Sequence, residues 1–116
     1  MSDEDTIAEL LAQASEWLRS ALHTQDAPQE PAGLYVRAGV LVELLDRLRQ
    51  VAGMLGEQVA NLAANERGLA SNDATYAAEH AERAGQHLRD VAEDLAAAGV
   101  AADLAHNALS HLKIDG

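Results

Sequence analysis

The sequence predicts an all-α fold, a helical bundle in which a short N-terminal helix precedes a long antiparallel helical hairpin. Three observations lead there. The chain holds 25 Ala and 17 Leu but no Phe, one Trp and two Tyr, so its interior must be filled by short aliphatic side chains on closely approaching helices. Apolar residues recur at alternating spacings of four and three through two long stretches, which is helical periodicity and not the alternation of a strand. Both prolines fall in a single short segment, so no proline interrupts the rest. At 116 residues the chain supports one domain, 1–116, and is too short for two with separate cores.

The first helix is expected over about residues 5–22. Ile7, Leu11, Ala14, Leu18 and Ala21 form one stripe, widened by Leu10, Trp17 and Leu22. Ser2, Asp3, Glu4 and Asp5 precede it, and both capping oxygens and negative charge suit a helix N-terminus. Residues 23–33, with Pro28 and Pro31, read as a linker.

The second helix is expected over about residues 34–63, with a coiled-coil-like seam of Leu34, Ala38, Leu41, Leu45, Leu48, Ala52, Leu55, Val59 and Leu62. Residues 64–73 gather Asn, Gly, Ser and Asp into a turn, in which Ser71, Asn72 or Asp73 would cap the next helix. The third helix, about 74–113, repeats the rule from Ala77 through Ala81, Ala84, Leu88, Val91 and Leu95, then Ala98, Ala102, Ala105, Leu109 and Leu112. The two helices would be roughly 45 and 60 Å long, an unequal pair. The first helix, a break near Gly99 or a second subunit would cover the overhang, and a three-helix subunit that dimerises is the expected arrangement.

Five glycines, Gly39, Gly53, Gly56, Gly85 and Gly99, fall inside predicted helices, each at a cost of up to about 1 kcal/mol relative to alanine. Beside the expected seam of the third helix, Ala78, Gly85, Ala92 and Gly99 make a strip of tiny residues. Such a strip lets another backbone come close, either within the chain or from a partner. The partner interface expected from sequence is therefore Ala78, Gly85, Ala92 and Gly99 with Leu88, Leu95, Leu109 and Leu112.

Nineteen acidic against eight basic residues give a formal charge of −11, which repels phosphate backbones and anionic lipid surfaces. Neither nucleic acid nor membrane is an expected partner. The charge divides as −6 over residues 1–32, −1 over 33–73 and −4 over 74–116, which marks the middle helix as the interior one. The absence of cysteine excludes a disulfide scaffold, thiol chemistry and Cys-based zinc sites. The acidic opening segment lacks the pattern of a secretory signal, no apolar run reaches the roughly 18 residues of a membrane span, and a cytoplasmic location is the expectation. Seven of the eight basic residues are Arg, which with the Ala and Gly content points to a high-GC bacterial source.

Catalytic signatures are weak. His80 and His87 stand seven apart, about 10 Å along a helix, too far to share one ion unaided. His106 and His111 point in different directions. A di-metal bundle needs paired Glu-x-x-His motifs, whereas this chain has one Asp-x-x-His, Asp103 and His106, with Glu43 or Asp46 to face it. The acids Glu79/Glu82 and Asp90/Glu93/Asp94 lack a second pair for Mg²⁺, and no phosphate loop or nucleophile elbow occurs. The reading is therefore no catalytic residue, no cofactor and no metal.

In size and composition the chain resembles the small helical-hairpin proteins exported by type VII secretion systems of high-GC bacteria. The family's Trp-x-Gly turn is not matched: Gly68 has no Trp beside it, and Trp17 is followed by Leu18 and Arg19. Four residues after Tyr76 stands His80, where the family has an acid. The leading expectation is a non-enzymatic protein–protein interaction module, homo-oligomeric or bound to a partner helix. Its rivals are an acidic antagonist of a basic protein, a secretion-associated hairpin and a metal-dependent helical enzyme.

Overall fold

The computed structural model describes residues 3–24, 30–67 and 72–115, and nearly all of them are helical. They form α1 (Asp3–His23), α2 (Pro31–Arg67) and α3 (Asn72–Asp115). Local chemistry accounts for the ends. Pro31 opens α2, where its missing N–H would have had no partner. The carbonyl of Glu30 accepts the first helical bond from Leu34 N–H at 3.1 Å. At the end of α1, Thr24 satisfies two carbonyls: its N–H donates to Ala21 and its hydroxyl donates to Ser20 at 2.8 Å.

The helices are longer than periodicity indicates. The expected linker at 23–33 gives up Pro31 to Gly33 to α2, and the expected turn at 64–73 gives up its two ends. Asn72 and Asp73 lie inside the first turn of α3, while Ser71 lies outside the described residues. Helix α3 runs unbroken through Gly99, so the break left open there does not occur. With 37 and 44 residues, α2 and α3 are about 56 and 66 Å long, so the overhang shrinks to roughly 10 Å.

Helices α2 and α3 pack along their length, and no described Cα of α1 comes within 8 Å of either. The pair is antiparallel. Gly56 meets Gly85, and Gly39, nearer the start of α2, meets His106, nearer the end of α3. The rows turned inward on α2 are Tyr35, Val42, Arg49, Gly56 and Ala38, Leu45, Ala52, Val59, all buried or half-buried. On α3 they are Ala78, Gly85, Ala92, Gly99, His106 and Ala81, Leu88, Leu95, Ala102, Leu109.

These rows correct the expected seam. Ala81, Leu88, Leu95, Ala102 and Leu109 do face α2, but Ala84, Val91, Ala98, Ala105 and Leu112 are exposed. Their place is taken by the tiny strip, which periodicity alone puts beside the seam. Ala78 is 1% exposed, and a Cβ on Gly85 would lie 3.6 Å from the carbonyl oxygen of Gly56. At Gly85 the second backbone that the strip admits is α2 of the same chain. At about 100° per residue, the contact axis is rotated about 60° from the centre of the apolar arc. Helices come closest where side chains are smallest, and a leucine row on that axis would hold the backbones apart.

Little is buried as a result. Among described residues only Ala52 and Ala78 are fully buried apolar side chains. The accessible surface is 8683 Å², against about 6,100 Å² for a compact monomer of this mass. The radius of gyration is 19.5 Å, where about 13 Å is typical of a globular domain of this length.

Candidate interaction surface

The rotation leaves one side of the hairpin apolar and open. In an antiparallel pair the row flanking the contact on one helix lies on the same side as the equivalent row of the other. On one flank α2 presents the exposed Leu34, Leu41 and Leu62 with the half-buried Leu48 and Leu55 between them, and α3 presents Ala84, Val91, Ala98, Ala105 and Leu112. Leu41 is 47% exposed, Leu62 51% and Val91 44%. Neither row contains a charged residue. Each runs over about 42 Å of helix.

The opposite flank is mixed, with charged side chains among exposed apolar ones such as Val100 and Leu104. There Ala60 shares a groove with Glu82, Arg83 and Arg89, and farther along Glu43, Asp46 and Asp103 line a second groove beside Gly99. Asp46 accepts hydrogen bonds from Arg49 at 2.7 Å and Gln50 at 2.8 Å, and these hold its carboxyl below the usual carboxylate range. The carboxylate form is thus favoured by folding, an exposed pairing that is lost only as pH falls into that depressed range. Two further i,i+3 and i,i+4 ion pairs, Arg19–Glu16 and Arg47–Glu43, lie on exposed helix surface.

Asp103 and His106 do not converge on a site. Asp103 lines the second groove, whereas the His106 imidazole stacks on the Tyr35 ring, with centroids 4.2 Å apart and planes 17° from parallel. Among the described residues no group of three or more His, Asp or Glu is placed to hold a metal ion. His80, His87 and His111 are exposed. Sequence reasoning misses the stack, although His106 continues the strip of small residues and so had to meet α2. Gly39 makes room for it, since a Cβ there would lie 3.0 Å from His106 Nε2. Gly39→Ala should therefore displace the ring, and the upfield ring-current shift of the His106 ring protons should diminish in the proton NMR spectrum. An unchanged shift would show that the stack does not depend on that space.

The expected interface residues divide sharply. Ala78, Gly85, Leu88, Ala92, Leu95, Gly99 and Leu109 all lie on the side of α3 turned to α2, and Leu112, 55% exposed, stands on the open apolar flank. Helix α1 carries a second apolar surface, with Leu10 59%, Trp17 75% and Leu22 86% exposed. Trp17 is the only tryptophan, so its fluorescence reports on α1 alone. Its emission should be that of an indole in water, freely quenched by acrylamide. A blue-shifted, shielded emission would mean that α1 is packed.

No family model, characterised protein or solved structure matches the chain. Among the described residues no helix is long and apolar enough to cross a membrane. Function has therefore to be read from the surface itself.

Proposed function

We propose that this chain is a non-enzymatic helical interaction module that works as a homo-oligomer, in which the hairpin is the rigid element and its open flank the contact surface. The observation that carries this is the uncharged, exposed apolar side of the hairpin. Exposed apolar patches of such extent on small proteins mark association surfaces. A cytoplasmic place of work fits a chain without cysteine.

Light scattering on a sizing column at two salt concentrations tests the reading. Copies carrying −11 each repel while their contact is apolar, so a dimer should form and tighten as salt rises. A basic partner would behave oppositely, its binding weakening with salt. A monomer at tens of micromolar protein in both salts would overturn the homo-oligomeric reading.

A further inference from the structure

The open flank also has a shape. Its α2 row is a ridge of leucines, and its α3 row is mostly alanine, a shallow strip. The register of the hairpin, set by Gly56 against Gly85 and Gly39 against His106, brings each leucine level with a gap in that strip. Leu41 stands level with the gap between Ala98 and Ala105, and Leu48 with that between Val91 and Ala98. Within one chain the leucines cannot use these gaps, because ridge and strip lie side by side on the same flank. A two-fold axis lying in the plane of that flank and parallel to the helices changes this. It turns the flank over onto itself, preserves level along the axis and exchanges ridge with strip.

We infer that the occupant of this flank is a second copy of the chain, joined flank to flank in a four-helix arrangement with both hairpin turns at the same end. The inference rests on the interaction reading above and names its partner. Leucine knobs of one α2 enter the gaps of the other copy's α3, the packing that closes helical bundles, and the same patch serves both subunits. No charge is desolvated, since neither row carries one, whereas the acids of the opposite flank stay in water. The chain's own α1 is a poorer fit. Its 21 residues span about 32 Å, one helix against a surface about 42 Å long and two rows wide.

Two double variants test the arrangement by light scattering, with circular dichroism as the check on folding. Leu41→Glu with Val91→Glu charges the flank at positions already half in water, so the hairpin should keep its helicity while self-association weakens at least about 100-fold. Val40→Glu with Val100→Glu, at 59% and 64% exposure away from the flank, should leave it unchanged. The chain has no cysteine, so mixing a Leu41→Cys protein with a larger, tagged Ala98→Cys protein gives a second reading. A mixed disulfide between them can only join two chains, and it should form faster than either like pair.

A dimer that survives the flank charges, or that the control charges dissolve equally, overturns the flank while leaving self-association in place. Predominance of the Leu41→Cys pair with itself overturns the two-fold axis along the helices. A wild-type monomer with a shielded Trp17 shows α1 covering the flank and overturns both this inference and the reading beneath it.

Discussion

Leucine at position 85 is expected to cost about 1–3 kcal/mol of stability, while alanine at the same position is tolerated. Gly85 is buried where α3 lies close against α2: an added Cβ would meet the Gly56 carbonyl oxygen at 3.6 Å, Val59 Cγ1 at 3.7 Å and Ala60 N at 3.9 Å. Those are ordinary contact distances, so one methyl fits. Alanine also removes the helix-propensity penalty of glycine, up to about 1 kcal/mol, so Gly85→Ala should be neutral or stabilising. The three further carbons of leucine must push into the α2 backbone, which lacks a flexible side chain at Gly56 to move aside. Thermal unfolding followed by circular dichroism at one fixed protomer concentration measures both, the concentration being held because association shifts apparent stability. Leucine tolerated as well as alanine would show that the helices do not approach at this point.

The second large effect is a gain. A Cβ built on Gly53 or Gly99 meets nothing within 4 Å, and neither residue has a positive φ. Both sit inside long helices and contribute no close approach, so each carries the entropic cost of glycine without return. The double variant Gly53→Ala, Gly99→Ala should be more stable by up to about 2 kcal/mol, a rise in Tm on the order of 5–10 °C. A lowered Tm would mean that α3 has to bend at Gly99. The contrast between these glycines and Gly85 is visible only in the packing, because all lie at helical positions in an Ala-rich sequence.

Several elements are legible in the residues alone. The spacing of Leu45, Ala52 and Val59, and of Leu88, Leu95 and Leu109, specifies helices, and those residues face the partner helix as their period demands. The break in the helical pattern before Pro31 separates α1 from the hairpin. Helix ends are less legible, since Pro31 is as good at opening a helix as at preventing one. The Tyr35–His106 stack is not legible at all, for its partners are 71 positions apart and only the hairpin register unites them.

What the sequence by itself determined is that this chain is helical and acidic, with a strip of tiny residues beside the apolar seam of its third helix. Periodicity and composition are local properties, and they survive whatever the helices pack against. What only the tertiary structure decided is which part of the apolar arc the chain uses for itself. The backbones come close where Gly56 faces Gly85, so the contact turns toward the small residues, and Leu41 and Leu62 of α2 with Val91 of α3 stay exposed.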